Sequence, residues 1–435
     1  MKLSKFNTIV FHEGLFLYHN SFTENFLLLE SMLLELILAA KNEDNVAGLE
    51  DVHPDLYNAL LAQGFIVPKE TDEIQKVREL IKSVDHRDDT YKLMILPTMN
   101  CNFKCWYCYE THIKGSKTSE VELKKIKLLI DNKFNEMKFL KKFDLSFFGG
   151  EPLLYYKDVV LPILDYTYKK SEENHVKLHI HFTSNGFLIN DDMVKGLVKY
   201  GVDSFQITFD GHGKEHDKVR YVSKSKGSYY AIVENIKRLV RNNILVSLRI
   251  NYTQSSIDGL PNVFNDFEDL SPSEKKLITL DMQKVWQEED LSRGLYDKAT
   301  AMKVAARDFG FSSHPANSSN TLRNSCYADK KNQAAINYNG DVYKCNARDF
   351  TKANREGVLN DKGEIIWSKR YEERMTVKLK NKPCLECSIM PMCAGGCSQF
   401  ALEHLGEDFC VYEHDEERKK KQVLNRFLHS ELIDA

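Results

Sequence analysis

The chain has 435 residues, 60 Lys+Arg against 63 Asp+Glu, and 42% hydrophobic residues. That length suits two or three domains, and a formal net charge of −3 argues against a nucleic-acid or polyanion binder. Ordinary apolar content with only 21 Gly and 10 Pro excludes a disordered or fibrous chain.

The N-terminal segment Met1–Thr8 is charged and lacks a following apolar h-region, so no signal peptide is expected. The longest apolar stretch, Phe26 to Ala40, holds Glu30 and Glu35 and is shorter than the roughly 20 residues a bilayer needs. A cytoplasmic location without membrane attachment is the expectation. Ten cysteines in such a chain read as metal ligands rather than disulfides.

Residues 1–85 read as a unit of their own. Asn7–Phe11 and Leu15–His19 are β-prone runs around His12-Glu13-Gly14 and predict a hairpin. Apolar helical patterns follow near Phe22–Ala40 and Pro54–Gln63, and Gly64 marks the end of the second. Phe65–Val67 predicts a short strand, and Asp72 to Val84 a charged helix leading to a polar joint at 85–89. This mix resembles a winged-helix module.

From residue 91 strand and helix alternate. Strands are predicted at Lys92–Leu96, Phe143–Phe148, Lys177–Thr183, Asp203–Phe209, Leu245–Tyr252 and Leu277–Lys284. Ser119 and Glu122 form a capping-box pair ahead of Leu123, Ile126, Ile130, Phe134 and Met137, spaced by three or four. Six strands in this rhythm predict an α/β fold with a parallel sheet, either a partial barrel or a doubly wound sheet. Beyond Thr300 a helix runs to Gly310, Phe311–Ser325 reads as a Ser/Asn-rich loop, and the charged tail carries Val423, Leu424, Phe427 and Leu428 as a docking stripe.

Cys101, Cys105 and Cys108 follow the first of these strands in C-x3-C-x2-C spacing. Three thiolates on one loop can hold three corners of a cubane cluster and leave one iron open, as an open position is kept in catalytic metal centres. A zinc loop or three unconnected cysteines is the plainer alternative. The loop's position favours the cluster, because active sites of parallel βα barrels lie at the C-terminal ends of strands.

This loop resembles that of the radical S-adenosylmethionine (SAM) enzymes. The resemblance implies a [4Fe–4S] cluster whose open iron chelates SAM, reductive cleavage of SAM to a 5′-deoxyadenosyl radical, and Tyr107 near the adenine. Phe147-Phe-Gly-Gly-Glu-Pro152 matches the family's GGEP motif, implying that Gly149, Gly150, Glu151 and Pro152 hold the SAM amino group. Gly149 and Gly150 remove the Cβ that would keep backbone from a ligand, and Glu151 supplies an acceptor for an ammonium. Thr183-Ser-Asn-Gly186 stands where the family has Thr-Asn-Gly, which places Ser184 among the implied SAM contacts. Thr208-Phe-Asp-Gly211 resembles the family's Ser-Leu-Asp-Gly, implying a Thr208 contact to the ribose or the methionine carboxylate. Arg220 is implied to pair with that carboxylate. The family's barrel has six strands, in agreement with the six counted.

The remaining seven cysteines follow as Cys326-x13-Gly340-x4-Cys345, then Cys384-x2-Cys387-x5-Cys393-x3-Cys397-x12-Cys410. This pattern resembles the SPASM extension of radical SAM peptide-modifying enzymes. By position the resemblance implies two auxiliary [4Fe–4S] clusters. A distal one is held by Cys384, Cys387, Cys393 and Cys410, and a proximal one by Cys326, Cys345 and Cys397 with its fourth ligand unassigned. With the first cluster, three [4Fe–4S] clusters are implied. A single four-thiolate zinc site at Cys384, Cys387, Cys393 and Cys397 is the alternative, and it leaves Cys326, Cys345 and Cys410 unexplained.

The layout expected is thus 1–85 winged-helix-like and leader-recognising, 91–290 radical SAM partial barrel, 291–325 bridge, 326–415 SPASM, and 416–435 terminal helix. Within the family the resemblance implies a maturase of a ribosomally made precursor peptide, forming a thioether or carbon–carbon crosslink or a related modification. Its implied partners are the leader-bearing peptide and a reductase, flavodoxin or ferredoxin as electron donor.

An anaerobic sulfatase-maturing enzyme is the alternative. Against it stand the 100 residues before Cys101, the missing fourth proximal cysteine, and Asn346 where those enzymes carry a basic Asp. A non-catalytic, metal-stapled peptide-binding protein is the alternative of another class. His179 and His181 share one strand face, with His175 nearby, but satisfied histidines are far commoner than a metal site.

Overall fold

The computed structural model describes residues 1–223, 226–288, 293–312 and 321–434. Most of the expected loop Phe311–Ser325 and the expected boundary at 290/291 lie outside the described residues. The chain packs into two units, each discontinuous in sequence. One comprises Met1–Arg87, Ala316–Lys331 and Glu372–Ala435, and the other Asp88–Pro315 and Asn332–Tyr371.

In the first unit, β1 (Asn7–His12), β2 (Leu15–Asn20) and β3 (Asn25–Leu29) form an antiparallel sheet with β2 in the middle. Glu13 and Gly14, both at positive φ, make the two-residue turn between β1 and β2. Helices α1 (Ser31–Asn42), α2 (Pro54–Ala62) and α3 (Glu73–Asp85) follow.

The helical pattern expected over Phe22–Ala40 is therefore corrected, because its first part is strand. Asn25–Leu29 pairs residue for residue with β2, from Asn20↔Asn25 to Phe16↔Leu29. A short apolar run such as Phe-Leu-Leu-Leu fits a buried strand and a buried helix equally well, and here the sheet decides. Val10 and Leu17 share a core with Ile389, Met392, Val423 and Phe427, so late segments of the chain complete the unit begun by the first 87 residues.

The second unit holds a sheet whose main strands are β4 (Thr90–Leu96), β5 (Lys142–Phe147), β6 (Lys177–Ser184), β7 (Ser204–Phe209), β8 (Leu245–Tyr252) and β9 (Ile278–Lys284). All neighbours among these six run parallel, in unbroken sequence order. A doubly wound sheet reverses its order at a switch point. The sequential order leaves the barrel-type winding of the two alternatives. Phe147, Phe182 and Phe205 lie in register on adjacent strands and stack at 4.7 and 4.8 Å. Over such side chains pack Ile126 and Ile130 of α4 (Glu120–Glu136), Ile163 of α5 (Leu161–Asn174), Leu197 of α6 (Asp191–Lys199) and Ile236 of α7 (Tyr229–Val240).

The Ser119 side chain caps α4 by accepting from the Glu122 amide, whereas the Glu122 carboxylate pairs with Lys125 at 2.9 Å instead of completing a capping box. A seventh strand, β10 (Gln333–Asn337), adds parallel to β4, and β11 (Asp341–Tyr343), β12 (Gly357–Leu359) and β13 (Ile365–Trp367) continue antiparallel. Gly340, at φ +81°, turns the chain from β10 into β11.

Candidate functional site at the barrel strand ends

The loop leaving β4 is closed at its base before any cysteine comes into play. Thr118 N–H donates to Pro97 O at 2.9 Å, Thr98 Oγ1 to Ser116 O at 2.6 Å, and Ile113 N–H to Met99 O at 3.0 Å. Phe103, buried, anchors the loop against Phe187 with ring centroids 5.6 Å apart. Between these pins Cys101 and Cys105 are half-buried and Cys108 is exposed.

Burial pushes the Cys101 thiol up to about 12, with the nearby Glu151 adding to it, and the Cys108 thiol up to about 11. Cys105 is raised by burial too. The Arg220 guanidinium acts the other way on all three. A thiolate set on this loop thus has one built-in cation.

The Gly-Gly-Glu-Pro turn ends β5 against this loop. Gly150 N–H donates to Thr98 O at 3.2 Å and Glu151 N–H to Asn100 O at 2.9 Å. A Cβ on Gly150 would collide with the Asn100 main chain, and one on Gly149, at φ +101°, with the Thr98 carbonyl. What lies against the two glycines in this structure is the main chain of the cysteine loop.

Glu151 is fully buried, and its carboxylate accepts from Ser184 Oγ (2.9 Å), Asn185 N–H (2.8 Å) and Leu153 N–H (3.0 Å). Those bonds tie β5 to β6. Pro152 opens the short turn of helix that follows.

Ser184 itself is buried and bonded to Glu151, and its hydroxyl also accepts from Gly186 N–H at 3.0 Å. Its neighbour Asn185 reaches the cysteine loop: its Nδ2 donates to Asn102 Oδ1 at 2.8 Å and stands 3.9 Å from Cys101 Sγ. Thr208 is buried near the end of β7, in register with Arg249 of β8.

Tyr107 is the hub of the site. Its hydroxyl donates to Asp210 and accepts from Arg220 Nη2 at 2.8 Å and Asn251 Nδ2 at 2.9 Å. Its carbonyl accepts from Gln287 Nε2 at 2.6 Å. Arg220 Nε pairs with Asp210, so the cation expected for a ligand carboxylate already holds a carboxylate of the chain. Behind this pair, Asp210 N–H donates to His216 Nδ1 at 3.3 Å, and Ser228 Oγ lies 3.0 Å from His216 Nε2. Contacts from the first loop to the ends of β7, β8 and β9 mean that the sheet curls. Sequence reasoning missed Asn185, Asp210, Asn251 and Gln287. Of these, Asn185 and Asp210 stood inside quoted motifs, and the other two carried no local signal.

Cys345 follows β11, which lies two strands from β4. Its segment is fastened to the cysteine loop. Tyr109 Oη donates to Asn346 O at 2.6 Å, and Thr111 donates through N–H and Oγ1 to Asp349 at 2.9 and 2.5 Å.

In the first unit Cys384, Cys387, Cys393 and Cys410 line one cavity of about 230 Å³ with Tyr412 and Lys419. Burial raises Cys384 and Cys387, and Cys393 up to about 12. Four thiols around one cavity are the donor set an iron–sulfur cluster takes. Cys326 and Cys397 also belong to the first unit, whereas Cys345 belongs to the second, so the proximal assignment rests on the sequence pattern.

Among the described residues no three His, Cys, Asp or Glu side chains are gathered tightly enough for a single metal ion. His181 Nδ1 lies 2.9 Å from Ser204 Oγ and His179 Nδ1 3.7 Å from Asp144, each with its own partner. No helix among the described residues is long and apolar enough to cross a membrane.

Residues 95–270 match the family model of the radical SAM superfamily. The chain is 25% identical over 385 residues to the radical SAM cyclopropyl synthase TigE of Paramaledivibacter caminithermalis, covering 79% of this chain and 76% of that protein. It is 29% identical over 181 residues to a cysteine-type anaerobic sulfatase-maturating enzyme of Clostridium novyi, covering 40% of this chain but only 47% of that protein.

Among solved structures, SuiB of Streptococcus suis bound to precursor peptide SuiA superposes with a TM-score of 0.52 at 16% identity, over 95% of this chain and 99% of that one. The structure of anSMEcpe with bound AdoMet and Cp18Cys peptide gives 0.58 at 16% identity, over 79% of this chain and 99% of that one. At these identities the structural likeness speaks to fold alone. The chain carries a radical SAM domain.

Proposed function

We propose that this radical SAM enzyme is a peptide maturase, acting on a ribosomally made precursor whose side chains it crosslinks or otherwise modifies. The observation that carries the reading is the convergence of three thiols, one buried arginine and six parallel strand ends on a single loop. A [4Fe–4S] cluster with SAM, held by Cys101, Cys105 and Cys108, would supply one electron and a carbon radical able to take hydrogen from an unactivated carbon.

The chain's own contribution is holding and excluding. Asn185 and the main chain of Gly149–Glu151 brace the loop from one side, and Asp210, Arg220 and Asn251 brace Tyr107 from the other. Arg220 is the group for a SAM carboxylate, sharing its second edge with Asp210. Tyr107 is assigned to the adenine side, Thr208 to the ribose or carboxylate, Gly149, Gly150, Glu151 and Pro152 to the SAM amino group, and Ser184 to the SAM contacts beside them. The four thiols around the one cavity are the ligands we assign to a distal auxiliary cluster, and Cys326, Cys345 and Cys397 those of a proximal one.

Residues 1–85 are assigned to the leader of the precursor. The strand order supports this, because β1 and β3 each keep one edge unpaired within their sheet. An added peptide strand gains affinity from main-chain bonds and selection from side-chain pockets. Superposition with SuiB over nearly the whole chain supports a maturase layout. The 91–290 barrel, 326–415 extension and 416–435 helix complete the assignment, with a flavodoxin, ferredoxin or reductase as electron source.

The test is co-expression with short open reading frames beside the gene, followed by intact-mass analysis of each peptide. A crosslink removes two hydrogens, so a loss of about 2 Da that depends on SAM and reductant is expected. Conversion of a sulfatase Cys or Ser to formylglycine, with no change in any such peptide, would overturn the reading in favour of the sulfatase-maturing alternative.

A further inference from the structure

Arg220 is held at both ends, and both routes lead back to one histidine. His216 is fully buried in the short helix Lys214–Val219, four residues ahead of Arg220. Its ring is wedged between those of Phe209 and Tyr229, with centroids 5.3 and 5.5 Å away. Nδ1 accepts the Asp210 N–H at 3.3 Å, so the ring proton stands on Nε2 and is donated to Ser228 Oγ at 3.0 Å. That hydroxyl in turn donates to the Arg220 carbonyl at 2.8 Å. At the other end the Arg220 guanidinium pairs through Nε with Asp210, the residue whose amide His216 holds. Main chain and guanidinium of Arg220 thus close into one ring of polar contacts through a single imidazole. Burial, and then the nearby Arg220 charge, push this imidazole well below its usual range, so it stays neutral and the order of donors is kept.

Ser228 confirms that the ring is more than local helix chemistry. It directly precedes α7, where a serine ordinarily accepts from the first turn of its own helix. Here its side chain makes no such cap. Asp217 caps instead from outside the helix, its Oδ1 accepting from Ser228 N–H at 2.7 Å and Tyr229 N–H at 3.0 Å. Gly227 leaves room for that carboxylate, which a Cβ there would strike. The serine hydroxyl is thereby released to Arg220. A buried hydrogen-bonded ring of this kind fixes one geometry, because opening any link strands a polar group away from water.

We infer that His216 and Ser228 are positioning residues that aim the Arg220 guanidinium at the carboxylate of SAM. Both act through Arg220 and not on the ligand: His216 sets Asp210 and, by way of Ser228, the Arg220 main chain, and these two set the guanidinium. The inference rests on the assignment of Arg220 to that carboxylate and adds to it the residues that keep the cation in place.

The test measures binding of SAM, and of decarboxylated SAM, which lacks only that carboxylate, to the reconstituted, oxidised holoenzyme by equilibrium dialysis. Ser228→Ala removes one oxygen and leaves the Asp217 cap. It should weaken SAM about tenfold, the scale of one charge-assisted hydrogen bond, and change decarboxylated SAM by less than about twofold. His216→Ala should show the same selectivity, and His216→Gln, whose amide N–H can still reach Ser228, should recover part of the SAM affinity. Iron content equal to that of wild type marks each variant as loaded. Equal weakening of both ligands, or unchanged SAM affinity, in Ser228→Ala and His216→Ala overturns the positioning role. Arg220→Lys separates the two levels. Selective loss of SAM there, with none in the Ser228 and His216 variants, sinks the positioning role alone, and no selective loss there sinks the assignment of Arg220 on which it rests.

Discussion

The two cysteine groups that can be followed within single units differ in donor number and surroundings. Cys101, Cys105 and Cys108 stand on a loop with one thiol exposed, held by hydrogen bonds from distant strand ends and facing one buried arginine. Cys384, Cys387, Cys393 and Cys410 line one cavity, with Lys419 as their neighbouring cation. Three donors on an open loop leave a coordination position for chemistry, whereas four around a cavity saturate the metal and leave it to store or pass charge. On the proposed assignment, one residue type would serve both ends, with the surrounding fold deciding which.

Asp210→Asn attacks the open side most severely. Arg220 and Asp210 are a buried pair with side-chain exposures of 11% and 2%, and removing one partner of such a pair costs about 3–5 kcal/mol. Chemical denaturation and hydrogen exchange at the strand ends should report that loss in the barrel, and a cost below about 1 kcal/mol would show that Tyr107 is braced otherwise.

Acid should loosen each unit through its own histidine. Burial lowers both His19, in the first unit, and His181, in the second, to about 4 from an ordinary 6.5. The unfolded chain binds these protons first, so the stability they guard is whole above pH 6.5 and falls as pH drops toward 4. Each contributes on the order of 3 kcal/mol across that window. His19→Gln should flatten the acid dependence of the first unit alone, and equal pH slopes in variant and wild type would contradict this.

Gly150→Ala forces a methyl onto the Asn100 main chain and should cost about 1–3 kcal/mol. Its sharper readout is faster loss of iron from the open loop to a chelator than in wild type, and unchanged iron retention would mean the turn does not brace the loop. Lys419→Met is the mildest change, about 1 kcal/mol or less, since its partner Glu416 is largely exposed. It should lower the reduction potential of a cluster at the four-cysteine cavity and leave that of the three-cysteine loop in place, measured by EPR-monitored titration.

The barrel was legible because its strands are runs of buried β-formers punctuated by helices, and all six lie within two residues of their expected ends. The motifs at those ends were equally legible, since each is contiguous. What the sequence hid was partnership at a distance. Gln287 meets Tyr107 across 180 residues and Asn251 meets it across 144, and no periodicity encodes either contact. The glycines of the Gly-Gly-Glu-Pro turn signal close approach, but nothing local in the sequence says that the Thr98 and Asn100 main chain lies against them. Asn25–Leu29 was misread because three consecutive leucines carry no period.

The central claim is that the three-cysteine loop generates the radical and the four-cysteine cavity does not. The direct measurement is anaerobic reconstitution, iron counting and 5′-deoxyadenosine formation from SAM with dithionite. It compares wild type, the triple Cys101/Cys105/Cys108→Ala variant, and Cys393→Ala. About twelve irons are expected in wild type and about four fewer in each variant. Loss of 5′-deoxyadenosine is expected in the triple variant, with a smaller reduction in Cys393→Ala. Zinc in place of iron, or 5′-deoxyadenosine formation surviving the triple substitution, would contradict the account.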